Sequence, residues 1–135
     1  MTQVEKIFAL QRVSPFDRLY DAELTLVAEV ARDRRYPPGE TVVSERAPLQ
    51  SLYVVVQGGV YSADGTPAPR VVGIHSLLFD LPFTDTLRAS PEEGAVCLVI
   101  GKSHFHTIVN ACSELVIGLL EGPPLLLPLC RRAGA

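Results

Sequence analysis

Residues 73–89, GIHSLLFDLPFTDTLRA, constrain the fold of this 135-residue chain more than any other stretch. Gly73 opens it. A short apolar run (Leu77, Leu78, Phe79) follows, and Pro82 breaks the run. Thr84, Asp85 and Thr86 then lead into a strand-like segment. A glycine, one short helical turn, a proline and then Ser or Thr before a strand expose backbone N–H groups in a small concavity, an arrangement that suits an anion. Any surface loop can carry Gly and Pro. What singles this one out is its setting, with a strand-rich run before it and a strand, then a helix, after it.

Taken in order, residues 2–10 predict a short helix with Val4, Ile7, Phe8 and Leu10 on one apolar stripe. Ser14-Pro15-Phe16 interrupts it. Asp21 is the expected N-cap of a helix over 22–31, with Glu23 in its first turn and Leu24, Val27, Ala28 and Ala31 facing the core. Residues 36–40 (YPPGE) read as a turn and 41–43 (TVV) as a strand. A polar connection around Pro48 follows. Residues 52–56 (LYVVV) are apolar without alternation, so this strand is expected to be buried on both faces. Gln57-Gly58-Gly59 allows a bulge or turn before Val60-Tyr61. Residues 62–70 (SADGTPAPR) are turn chemistry: Asp64-Gly65 signals a hairpin, and Pro67 and Pro69 forbid a central strand. The hairpin is therefore expected to be truncated, with Val71-Val72 pairing briefly before Gly73.

Residues 86–89 predict a strand, 90–94 a solvated acidic loop, and 95–100 (AVCLVI) a buried strand holding Cys97. Ser103 is the expected cap of a helix over 104–112, with Phe105, Ile108 and Val109 inward. Ser113-Glu114 opens a last helix over 115–120, which Gly122-Pro123-Pro124 stops. Residues 125–130 (LLLPLC) are apolar and too short to span a bilayer. They either fold back on the domain or meet a partner.

Composition narrows the function classes. The formal net charge is −3, and the basic pairs Arg34–Arg35 and Arg131–Arg132 make no longer run; nucleic-acid binding would show a clustered basic footprint. Cys97, Cys112 and Cys130 lack C-x-x-C spacing, which argues against a disulfide framework and against a zinc site. His75, His104 and His106 lack metal-ligand spacing with them. An Asp85–His75 pair has no nucleophile to complete it. No catalytic residue, metal or cofactor is expected, and the chain does not read as an enzyme. With neither a secretory signal nor a membrane span, a cytoplasmic location is the expectation.

The order of elements resembles the cyclic-nucleotide-binding domain family, the β-roll of bacterial cyclic-AMP receptor proteins and kinase regulatory subunits. The resemblance runs over residues 4–120. Its marks are a helix pair with Pro15-Phe16 and Leu19 between, Leu52-Tyr53 before an apolar run, a Gly before Val60, and the 73–89 stretch. The family's phosphate-binding cassette looks like Gly-Glu-x-Ala-Leu, a linker with Pro, then Arg-Ser/Thr-Ala. Gly73, Leu77, Pro82 and Thr84 match. Ile74 stands where the family has the Glu that bonds the ribose hydroxyl, Phe83 where it has the Arg that pairs with the phosphate, and Asp85 where it has a small Ala. Leu49 and Gln50 stand in place of its Gly-Asp.

The resemblance implies a mainly β fold with flanking helices, a β-roll or double-stranded jelly roll. One domain over 1–120 is expected, with helices over 3–31, the roll over 36–100 and C-terminal helices over 103–120, followed by a tail over 121–135. It implies a degenerate cassette of Gly73, Ile74, His75, Ser76, Phe83, Thr84 and Asp85 as the candidate ligand site. Losing two charge-assisted bonds removes about 3–6 kcal/mol, roughly 10²–10⁴ in affinity, so cyclic nucleotide binding is expected to be weak or lost. Three readings follow. Ile74 and Phe83 fill the pocket and leave an interaction module; the pocket takes a neutral ligand with His75, Ser76 and Thr84 as polar anchors; or the domain is a weak nucleotide sensor that signals through its cassette and C-terminal helix. A protein partner or a homodimer through the last helix and tail fits the first. No DNA-binding region follows the last predicted helix.

Overall fold

The turn-rich, short-stranded pattern folds into two antiparallel sheets with helices on one side. The computed structural model describes residues 1–14, 16–44 and 49–112. Helix α1 (Gln3–Gln11) is capped by Thr2, whose hydroxyl accepts the Glu5 N–H at 3.2 Å while the Glu5 carboxylate accepts the Thr2 N–H at 3.0 Å. This reciprocal pair satisfies two of the helix's orphan donors. A single 3₁₀ turn (Phe16–Arg18) leads to α2 (Asp21–Val30). Asp21 is the first helical residue rather than the cap. Glu23 reaches back to the Tyr20 N–H at 2.9 Å and so sets the boundary one residue earlier.

Among the described residues seven strands follow: β1 (Arg32–Tyr36), β2 (Thr41–Val43), β3 (Ser51–Gly58), β4 (Val60–Ser62), β5 (Val71–Val72), β6 (Leu87–Ala89) and β7 (Ala95–Gly101). Helix α3 (Ile74–Phe79) lies between β5 and β6, and α4 (Lys102–Ala111) follows β7. One sheet has the order β1-β7-β3-β5 and the other β2-β6-β4. Every pairing is antiparallel.

The long central strands β3 and β7 divide the core. Leu52, Val54, Leu98 and Ile100 face the helices, where they join Leu10, Phe16, Leu24, Val27, Ile74, Leu77, Phe105 and Ile108. Val55, Ala95 and Cys97 face the second sheet, with Tyr36, Val43, Val60, Val72, Leu87 and Ala89. Period-two alternation thus serves two cores at once, which explains an apolar run with no polar face. The pairing register of β3 with β7 shifts between Val55 and Gln57, at the expected bulge. Beside it Gly58 has φ +70°, and the Gly94 carbonyl occupies the space a Cβ would need.

The expected hairpin is short. Ser62 N–H bonds the Thr66 carbonyl at 2.9 Å, Asp64 Oδ1 accepts the Thr66 N–H at 2.9 Å, and Ala68 N–H returns to Val60. Ser62 Oγ also bonds Asp64.

Three further features differ from the sequence reading. Residues 32–36 (RDRRY) form β1, so the roll begins before the turn at Tyr36. Only Tyr36 of that strand is buried, and a charged edge strand shows no alternation. Val4 and Phe8 are each 61% exposed, while Leu10 is fully buried and Ile7 packs against the core. The helix therefore turns only the Ile7–Leu10 side inward. Gly101, not Ser103, precedes α4; Ser103 is within the helix and its carbonyl accepts the Thr107 hydroxyl at 3.2 Å. The predicted last helix over 115–120, the tail over 121–135 and the connection at 45–48 lie outside the described residues.

Candidate functional site

The cassette is built at the β5 edge of the four-stranded sheet. Val72 pairs with Tyr53 of β3, and the chain then turns at Gly73. Gly73 has φ +106°, and a Cβ there would meet the Leu49 side chain at 2.8 Å and the Ser51 carbonyl at 3.3 Å. Backbone conformation and crowding both require glycine. The start of α3 is thereby covered by Leu49 instead of opening as a bare concavity. Helix α3 has six residues and ends at Asp80, which is held at φ +53°. Asp80 Oδ1 accepts from the Lys102 ammonium of α4 at 3.1 Å.

Each candidate residue takes a distinct position. Ile74 is 2% exposed and lies in the helix-side core, not in the roll. The expectation that Ile74 and Phe83 fill one pocket together is therefore corrected: the first turn of α3 directs Ile74 to the opposite face of the sheet. Phe83 is 8% exposed and packs in the roll interior with Val43, Leu49, Val55, Val72 and Leu87.

Ser76 is buried and fully engaged. Its hydroxyl accepts the Leu49 N–H at 2.8 Å and donates to the Leu81 carbonyl at 2.6 Å. It ties the cassette to the segment before β3 and leaves no donor for a ligand. His75 is half-buried, with its ring 5.9 Å from that of Phe79 and its Nδ1 buried without a partner among the described residues. Thr84 is exposed, and Asp85 is half-buried with Oδ1 accepting the Thr86 N–H at 2.9 Å. Gly73, Ile74, His75 and Ser76 share one turn. Phe83 alone of the seven enters the roll.

Leu49 is a site residue that the sequence reading did not single out. It contributes its N–H to Ser76 and its side chain against Gly73 and Phe83. The one signal was its place where the family has Gly-Asp.

The opposite edge of the same sheet carries the interior polar groups. Tyr36 is buried with its hydroxyl unpartnered, and the Arg34 guanidinium stands 5.2 Å from its ring centroid. Burial raises the Tyr36 and Tyr53 phenols above their ordinary range, partly offset by Arg34. Burial pushes the Cys97 thiol up to about 11, again against Arg34. A thiol so raised is a core residue, not a nucleophile. Among the described residues no group of three His, Cys, Asp or Glu is placed to hold a metal, and no helix is long and apolar enough to cross a membrane.

No protein-family model and no curated protein matches the chain. Solved structures do. PKAR CBD2 bound to Sp-2Cl-cAMPS matches with a TM-score of 0.69 at 15% identity, over 86% of this chain and 85% of that one. The regulatory subunit of a cAMP-independent protein kinase A from Trypanosoma cruzi, bound to guanosine, matches with a TM-score of 0.75 at 17% identity, over 98% of this chain. Its counterpart from Trypanosoma brucei matches with a TM-score of 0.75 at 14% identity, over 96% of this chain. The chain spans about half the length of these two trypanosome subunits, 51% of each. Two antiparallel sheets with flanking helices, a glycine-led cassette and these matches together give the chain the fold of a cyclic-nucleotide-binding domain.

Proposed function

We propose that this chain is a regulatory interaction module that keeps the frame of a cyclic-nucleotide-binding domain without its nucleotide chemistry. The observation that carries the reading is Phe83. It occupies the cassette position of the phosphate-pairing arginine, and its ring is part of the apolar roll interior. A cyclic phosphate entering there would lose its water and gain no cation, which is costly for a charge. Ile74, at the position of the ribose-binding Glu, is buried on the far face of the sheet and offers the ribose nothing. The cAMP-independent trypanosome subunits support the reading, because this fold also occurs in regulatory proteins without cyclic AMP control. The contact with a partner would then be made by the outer surface, in a cytoplasmic setting, with the apolar 125–130 sequence as one contributor.

A second reading is favoured by one observation. The T. cruzi subunit is bound to guanosine, a nucleoside with no phosphate to neutralise. A neutral ligand would make the loss of the arginine irrelevant, and His75 Nδ1, buried without a partner, is a group it could satisfy. Thermal unfolding with millimolar cyclic AMP, cyclic GMP and guanosine separates the readings, because a ligand of the folded state must raise the midpoint. No shift with any of the three supports the interaction module. A shift with guanosine alone moves the neutral-ligand sensor to first place. A shift with either cyclic nucleotide overturns both.

A further inference from the structure

The outer face of the three-stranded sheet carries a groove of about 730 Å³ whose lining includes none of residues 73–85. Its floor is Tyr61 of β4 and Arg88 of β6, directly opposite in the antiparallel register. Its walls are the hairpin at Ser62, Ala63 and Gly65 and the loop from Ser90 to Glu92. Ligand sites have volumes of roughly 300–1,000 Å³ and an apolar lining with a few placed polar groups. This groove has the volume, and its lining mixes Tyr61, Ala63, Ala89 and Pro91 with the polar Ser62, Arg88, Ser90 and Glu92.

Two details give it chemistry. A Cβ on Gly59 would stand 3.0 Å from Tyr61 Cε1 and 3.3 Å from its hydroxyl. The Tyr61 ring therefore lies close over Gly59, and Tyr61 lines the groove beside Arg88. Arg88 is exposed and, among the described residues, makes no hydrogen bond or ion pair. A guanidinium with its donors unused, beside a flat ring, matches a carboxylate carried on a planar ring. Glu92 lines the same groove, so the acceptable ligand bears one negative charge, not several.

We propose that this groove is a binding site for a small aromatic monocarboxylate, with Arg88 pairing the carboxylate and Tyr61 packing against the ring. This site is independent of the cassette and of the interaction reading.

The test uses the full chain, with phenylacetate as the probe and phenylacetamide as its neutral match, followed by amide chemical shifts in a titration. Expected are saturable shifts confined to residues 59–65 and 88–92 with phenylacetate, and affinity at least about tenfold lower for the amide. Arg88→Gln should weaken phenylacetate by a similar factor, Arg88→Lys by less, and Phe83→Leu not at all. The acid-to-amide comparison needs no variant, so it holds even if Arg88→Gln unfolds. Equal affinity for acid and amide, shifts centred on residues 73–85, absence of saturation, or insensitivity to Arg88→Gln would each overturn the proposal.

Discussion

At the scale of single residues, Ile74, Ser76 and Phe83 of the cassette are buried and engaged in packing or internal hydrogen bonds. Phe83→Ala should cost about 3 kcal/mol or more, because a buried ring leaves a cavity between the two sheets; denaturant unfolding measures it. Restoring the family's Glu by Ile74→Glu should not restore a ligand site. It would bury an unpaired carboxylate in the helix-side core and lower stability by several kcal/mol, read in the same experiment. Ser76→Ala orphans the Leu49 N–H and the Leu81 carbonyl, at about 1–3 kcal/mol for each. The sequence made Gly73 and Phe83 legible, because a glycine before a helical turn and a phenylalanine at a charged position both break a pattern. It did not make Ser76 legible as structural: a serine reads the same whether its partners are ligand atoms or, as here, Leu49 and Leu81. Nor did it separate Ile74 from Phe83, since only the turn of α3 sends them to opposite faces of a sheet.

At the scale of elements, apolar and β-branched runs announced themselves and charged ones did not. Strands β2, β3, β5 and β7 were readable from short Val, Leu or Ile runs, and β4 and β6 from their places after the Gly58-Gly59 turn and after the cassette. Strand β1 was not, because RDRRY places charges on an edge whose faces are largely solvated. Such charges keep an edge from pairing with another chain. The same limit explains α1. Val4, Ile7, Phe8 and Leu10 fit a helical period, but that period alone does not tell which flank of the stripe meets α2. The caps carry a testable share of helix stability: Thr2→Ala should lower the stability of the N-terminal turn by about 1 kcal/mol. The readout is hydrogen exchange of the α1 amides, with faster exchange expected there and none of it in β7.

At the scale of the whole molecule, one sheet separates two cores, and ionisable groups in the roll-side core make stability depend on pH at the alkaline end. Cys97 is held at about 11 by burial, and the Tyr36 and Tyr53 phenols are raised in the same direction. Raised values mean that the folded chain keeps protons that the unfolded chain releases. Stability is therefore fully present below the ordinary thiol range and declines as pH climbs through about 11, by about 2–3 kcal/mol for Cys97 alone. Urea midpoints at pH 8 and pH 10.5 should differ accordingly, and Cys97→Ala should flatten the difference. The overall architecture was legible because the order of elements is long and distinctive. Whether its interior holds a nucleotide depends on a few side chains, Phe83 first among them. The most direct test is calorimetric titration of the purified chain with cyclic AMP and with cyclic GMP. The account predicts no saturable heat with a Kd below about 1 mM. A micromolar isotherm for either would contradict it, and would mean that another group on this chain performs the arginine's task.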